Sequence, residues 1–261
     1  MTRFRLARWA LPLPIVACCM AQKVPLRPGA NSVTVRGVPQ ALYFYSGGAG
    51  SQERPCVLFA PGDGGWRGFA ITVAAQVAGW GYDIYGLDTR SYLDSFTGKT
   101  ALKETDVAMD IRTLAEAVRG KRRVALLGWS EGAGLMVLAA ASPSRDAYTG
   151  LITMGLGDRN VLGWRFVDNL TYLTRRPPAE PSFSAFPYMS RISPLPLVML
   201  HSTKDEYVGM EEATRLFNAA AEPRRLLLVP ALNHRFDGAH PEFYRQLRQA
   251  LEWVAAVGPK Q

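Results

Sequence analysis

Histidine and cysteine are scarce in this chain, three of each among 261 residues. Cys18 and Cys19 fall in the N-terminal segment, which leaves Cys56 alone in the body of the protein. A disulfide within the folded part is thereby excluded. Lying inside the apolar run Cys56-Val57-Leu58-Phe59, Cys56 reads as a buried, inert thiol. No cysteine–histidine spacing suits zinc, and neither a metal nor a cofactor is implied. Basic clusters such as Lys121-Arg122-Arg123 and Arg175-Arg176 are short and lack interleaved aromatics. They read as solvated ends of elements, so no nucleic-acid partner is expected. Internal repeats and low-complexity tracts are also missing, which makes one domain the economical reading.

What the chain does have is apolar material: 48% of its residues are hydrophobic, enough at this length for one substantial core. Arg3, Arg5 and Arg8 precede an apolar stretch from Trp9 to Ala21 that contains Pro12 and Pro14. A basic start, a short apolar middle and small residues before Gln22 describe a secretory signal over residues 1–21, too short for a comfortable span. Ile15-Val16-Ala17-Cys18 also resembles a lipoprotein processing site, which would leave Cys18 lipid-modified. Either route predicts an exported protein, periplasmic or anchored to a membrane. The formal charge is +8; without the three leader arginines the chain holds 27 basic and 22 acidic residues. That excess fits peripheral contact with an anionic membrane without requiring it.

From residue 22 onward strands and helices alternate. Ser32–Val38 and Ala41–Tyr45 read as a strand pair turned at Gly37-Val38-Pro39. Continuous apolar strands follow at 55–60, 82–87, 124–127, 151–156, 197–200 and 225–229. Helical spacing appears at 69–78, around Val107–Val118, at 133–141, around 211–220 and from Pro241 to Val257. Apolar strands of this kind, separated by helices, predict an α/β fold whose mostly parallel sheet is covered on both faces. Residues 157–190 break the pattern with aromatics and prolines and predict a short cap-like insertion over a pocket.

The chemistry centres on Gly128-Trp129-Ser130-Glu131-Gly132, placed between an apolar strand and a small-residue helix. This is the nucleophile-elbow pattern: a sharp turn holds the serine at its tip, and a Cβ at either glycine would collide with a neighbouring element. A serine needs a base, and the base needs an orienting carboxylate. In chain order the acid comes next and the histidine follows the last strand. Asp205, after the 197–200 strand, is the natural acid, with Glu206 the close alternative. His234, after the 225–229 strand, is favoured over His240, which reads as an N-cap before Pro241, and over His201 at a strand end. For the oxyanion hole, one backbone N–H is expected from Glu131 and another from Asp63 or Gly64 in the turn Pro61-Gly62-Asp63-Gly64-Gly65-Trp66. Asp63 and Glu131, with Trp66 nearby, are candidate substrate contacts. Two carboxylates beside a forming oxyanion are unhelpful unless they receive a cationic group; the alternative is that both face solvent.

The elbow, the Ser130–Asp205–His234 order and the alternation resemble the α/β-hydrolase superfamily across residues 32–257. Phe59-Ala60-Pro61-Gly62-Asp63-Gly64-Gly65-Trp66-Arg67, together with the Gly81–Arg90 strand region and its Asp88, resembles the AcvB/VirJ family of bacterial virulence proteins. That resemblance implies an exported serine hydrolase acting on aminoacylated phosphatidylglycerol, chiefly the lysyl form. The competing expectations are a general short-chain carboxylesterase and a non-catalytic periplasmic binding or assembly factor on a hydrolase scaffold.

Overall fold

Apolar runs without alternation must be buried on both sides, and here they build the middle of one eight-stranded sheet. A computed structural model describes residues 26–98, 101–174, 176 and 178–259. The expected leader, Cys18 and Cys19 lie outside the described residues. In chain order the strands are β1 (Gly29–Val35), β2 (Val38–Tyr45), β3 (Cys56–Ala60), β4 (Ile84–Leu87), β5 (Val124–Trp129), β6 (Tyr148–Met154), β7 (Arg159–Val161), β8 (Ser182–Ser184), β9 (Leu197–Ser202) and β10 (Arg224–Val229). The main sheet runs β1-β2-β4-β3-β5-β6-β9-β10, parallel from β4 to β10, with β1 and β2 added antiparallel at one edge. The helices are α1 (Phe69–Gly79), α2 (Thr89–Phe96), α3 (Glu104–Arg119), α4 (Glu131–Ala140), α5 (Thr171–Thr174), α6 (Phe186–Met189), α7 (Met210–Ala219) and α8 (His240–Val257).

Side chains leave successive strand residues on opposite faces, so each strand feeds two cores. Leu58, Leu126, Leu151 and Leu197 face α3 and α4, whose Ile111, Leu114, Leu135 and Leu138 complete one core. Val57, Leu127, Ile152 and Val198 face α1 and α8. The apolar stripe expected on the last helix is fully sealed: Phe243, Leu247, Leu251 and Val254 expose nothing. Each such residue contributes about 1.5–3 kcal/mol of transfer free energy.

Two local expectations are corrected, and one helix is added that the sequence reading did not foresee. The β1–β2 turn is Arg36-Gly37, since Val35 pairs with Val38. Both turn residues have positive φ (47° and 79°), as a two-residue hairpin of the right twist requires. Arginine is held there because its guanidinium bonds Asp110 at 2.9 Å and lies 3.9 Å over the Phe96 ring. Helix α2 is the addition. Asp88 caps it by accepting the Ser91 N–H at 3.0 Å, and Thr89, Tyr92, Leu93 and Phe96 form its buried face.

The second correction is Arg122, which is buried rather than solvated. Its guanidinium donates to Asp83 at 2.9 Å and to the Ser51 carbonyl at 3.2 Å. Asp83 also accepts from Gln52 and from the Gly47 N–H, both at 2.9 Å, so one ion pair pins the 46–53 loop beneath the sheet. Removing one member leaves the other charge buried and unpaired. Arg122→Ala should therefore cost about 3–5 kcal/mol, or about 10 °C in melting temperature for a domain of this size. Calorimetry checks this, and a loss under 1 kcal/mol would refute the stated role. As expected, Cys56 is buried and unpaired, and burial pushes its thiol up to about 12.

Residues 157–190 follow β6 at the carboxyl end of the sheet. β7 and β8 pair antiparallel, Asn160 lies against Gly134 of α4, and the Trp164 N–H donates to the Thr97 hydroxyl at 2.8 Å. The segment thus bridges the start of α4 and the end of α2. Among the described residues, no helix is long and apolar enough to cross a membrane.

Candidate active site

Ser130 sits between β5 and α4 with φ 53° and ψ −125°, a conformation a side chain rarely adopts. Its N–H donates to the Met154 carbonyl and its carbonyl accepts from the Ala133 N–H, both at 2.9 Å. The flanking glycines are forced by close approach. A Cβ on Gly128 would lie 2.4 Å from the Ala133 Cα, and one on Gly132 would lie 2.1 Å from the Ala60 carbonyl oxygen. Crowding thus fixes the turn from both sides and leaves the serine at its apex.

Asp205 follows β9, and its side chain is wholly buried. Oδ1 accepts the N–H groups of Tyr207 (2.9 Å) and Val208 (3.0 Å), while Oδ2 lies 2.6 Å from Nδ1 of His234. Burial pushes this carboxyl up. The bond and charge of His234 and the two N–H donors outweigh that and hold it below the usual carboxylate range. Glu206 has a different place: it accepts the backbone N–H of His234 at 2.8 Å. Both acids therefore reach His234, but only Asp205 is paired with the ring.

His234 is positioned from every side. The Trp129 indole donates to its carbonyl at 3.3 Å, the Tyr207 ring lies edge-on at 5.4 Å, and the Trp129 ring is 5.7 Å away. Behind the loop, Phe236 takes φ 61° and stacks on Phe243 at 4.4 Å. Gly155, just past the Met154 carbonyl that holds Ser130, has φ 59°, and a Cβ there would lie 2.5 Å from the imidazole Cε1. Bonded through Nδ1, the ring has a buried Nε2 that finds no hydrogen-bond partner among the described residues.

Neither of the other two histidines is bonded to Asp205, although His201 lies close enough to feel the charges of Asp205 and His234. His240 is half exposed, 3.3 Å from Asp237; it is the first residue of α8, and Ala239 holds the N-cap position expected of it. His201 is buried inside β9, and burial pushes its imidazole pKa down.

The glycine turn after β3 passes directly over the serine: a Cβ on Gly62 would be 3.1 Å from the Ser130 Cβ. Asp63 and Gly64 follow, and the Gly65 N–H closes the turn on the Gly62 carbonyl at 3.0 Å. The Glu131 N–H opens α4, where helical N–H groups have no carbonyl a turn behind them. Trp66, half-buried, stacks its ring on Tyr43 at 5.1 Å, meets Phe59 at 5.9 Å and covers Gly86, so it clamps the turn to the sheet.

Glu131 does not face open solvent. Its carboxylate oxygen takes the Val161 N–H at 2.5 Å and so ties the elbow to the insertion. Burial pushes its carboxyl up to about 8; the Val161 bond opposes this and the neighbouring Asp63 charge adds to it. An uncompensated Glu131 therefore keeps its proton for most of the time at neutral pH. Sequence reasoning missed Tyr207, Gly155 and the backbone anchor of Glu206, whose roles depend on approaches between distant segments.

Comparison with known proteins agrees with this architecture. Residues 55–157, which carry the glycine turn and the elbow, match the family model of the bacterial virulence protein VirJ. The uncharacterized protein YfhR of Escherichia coli is 29% identical over 123 residues, 42% of this chain and 43% of YfhR, so the match spans less than half of that relative. Among solved structures, Est1E from Butyrivibrio proteoclasticus superposes with a TM-score of 0.64 at 14% identity, covering 87% of this chain and 99% of Est1E. A membrane phospholipase A described as a bacterial virulence factor gives 0.61 at 17%, covering 87% and 86%. At such identities the likeness is one of fold.

Proposed function

Since this chain has the α/β-hydrolase fold and its residues 55–157 match the VirJ family model, we propose that it is an exported serine hydrolase that cleaves carboxylic esters. The observation that carries the reading is the buried His234–Asp205 pair, 2.6 Å apart, together with a serine held at φ 53° whose N–H bonds the Met154 carbonyl, next to the Gly155 that the His234 ring crowds. Ser130 Oγ attacks the ester carbonyl carbon while His234 Nε2 takes its proton. The tetrahedral oxyanion is received by the Glu131 N–H and by Asp63 or Gly64. Collapse expels the alcohol with the proton from Nε2, and water then releases the acyl group by the same steps in reverse order.

The preferred substrate is an aminoacyl ester of a membrane lipid such as lysyl-phosphatidylglycerol. The family supports it, and so does the coupled Asp63–Glu131 pair in a basic protein. An ammonium beside the pair would draw the proton off Glu131, because a nearby positive charge favours the ionised carboxyl. The second reading, a short-chain carboxylesterase for neutral esters, is favoured by the protonation of Glu131 at neutral pH.

One experiment separates them. Turnover of lysyl-phosphatidylglycerol and of a fixed-charge quaternary ester is compared with that of a neutral ester of equal shape. For the cationic esters, Asp63→Asn/Glu131→Gln should lose at least about tenfold more kcat/KM than for the neutral one, since a charge pair near the surface is worth a few kcal/mol. The glutamine carbonyl can still accept from Val161. In the parent, preference for the quaternary ester should rise as pH passes about 8 and Glu131 ionises. Equal losses and a flat preference would leave the neutral-ester reading.

A further inference from the structure

Large apolar side chains are seldom left side by side in water, and a contiguous set of them marks a surface that meets something. Between 166 and 173 four of them project: Phe166 is 87% exposed, Leu173 82%, and Val167 and Leu170 are more than half exposed. The stretch is one 3-10 turn continued by α5, and the spacing 166, 167, 170, 173 sets the four along one side of it. Its single acid, Asp168, is turned inward: it is buried and accepts the Arg165 N–H at 2.6 Å. The outward face therefore carries no carboxylate.

Cations bracket this face. Arg165 pairs with Glu180 at 2.7 Å yet stays 60% exposed, and Arg176 is exposed beyond α5, with Arg175 beside it in sequence. The loops that carry Asp205 and His234, after β9 and β10, add exposed Tyr207 and Leu232 at the same end of the sheet. Exposed Arg67, Arg159, Lys204 and Arg235 also lie at that end. Of the exposed acids there, Glu206 holds the His234 N–H, Asp237 bonds Asn233 and His240, and Glu211 lies in the first turn of α7.

An apolar face without acids, flanked by arginines, matches the two layers of an anionic bilayer: acyl chains below, phosphates at the rim. We propose that residues 166–173 form a membrane-docking tip that seats on an anionic phospholipid surface and turns the Ser130 end of the sheet toward it. The inference deepens the lipid-ester reading, and its test reads docking and hydrolysis separately.

The full chain and its Phe166→Ser/Leu173→Ser variant are sedimented with vesicles of phosphatidylcholine alone or with added phosphatidylglycerol, and both are assayed on a soluble short-chain ester. Burying one such side chain is worth about tenfold or more in partitioning. The double variant should bind phosphatidylglycerol vesicles at least tenfold more weakly, while soluble-ester turnover stays within about twofold. A Phe166→Trp protein should show fluorescence quenched by bromine-labelled acyl chains beyond the quenching of the parent, which isolates the tip from any contribution of the N-terminus. Equal partitioning of parent and variant with no added quenching overturns the proposal. So does a solution dimer that the double variant dissociates, since a second copy would then cover the face. Absent ester turnover in every form, with docking intact, would instead count against the hydrolase reading.

Discussion

Ser130→Ala should abolish labelling by a fluorophosphonate and lower ester turnover by at least about 10⁴-fold, with the fold intact. Hydroxyl removal takes away the only atom that forms the acyl bond, and serine hydrolases that lose it fall back on positioning and oxyanion binding alone. Little structural loss accompanies it. The elbow is held by the Ser130 backbone bonds to Met154 and Ala133 and by the crowding at Gly128 and Gly132, none of which uses the hydroxyl. A companion variant reads the backbone directly. At φ 53°, ψ −125° an L-residue carries strain of about 1–3 kcal/mol, which glycine avoids. Ser130→Gly should therefore be equally inactive yet unfold no more easily than Ser130→Ala. Labelling with intact-mass readout, ester kinetics and thermal melts check all three. An alanine variant that retained labelling would place the nucleophile elsewhere and remove the basis of the hydrolase reading.

The parts of the molecule legible in sequence are those where local chemistry and global packing ask for the same residue. Continuous apolar runs exist because the strands are covered on both faces, so the sheet could be read from them. Gly128 and Gly132 were readable because only a tight turn in that context needs both. The order of Ser130, Asp205 and His234 follows from parallel strands delivering their loops to one end. What stayed hidden depends on approaches between distant segments. Arg122 looked solvated because Asp83 lies far from it in sequence, and the packing of Trp66 on Tyr43 and over Gly86 cannot be seen from the glycine turn. Helix α2 was masked by its polar composition, although Asp88 and Ser91 carried a capping signal. Glu131 was read as a charge, yet its environment decides its protonation.

Asp205→Asn should lower kcat at neutral pH by about 10⁴-fold, as when an orienting acid is replaced by an amide that stabilises the wrong tautomer. Glu206→Gln should cost no more than about tenfold, since an amide carbonyl can still accept the His234 N–H and the ring keeps its own partner. The pair is diagnostic because the two acids hold different parts of one residue: Asp205 the imidazole, Glu206 the backbone. Stability carries an independent sign. The Asp205 carboxyl lies below its ordinary range in the folded protein, so its ionised form stabilises the fold above the unfolded carboxylate pKa of about 4. That contribution is lost as pH falls through the depressed folded value. The parent should therefore exceed Asp205→Asn in denaturation midpoint at pH 7, and the gap should shrink toward pH 3. Chemical denaturation at both pH values and steady-state kinetics of both variants settle it. Were Glu206→Gln the more damaging change, the imidazole would be oriented through its backbone loop and the acid of the triad would have to be reassigned.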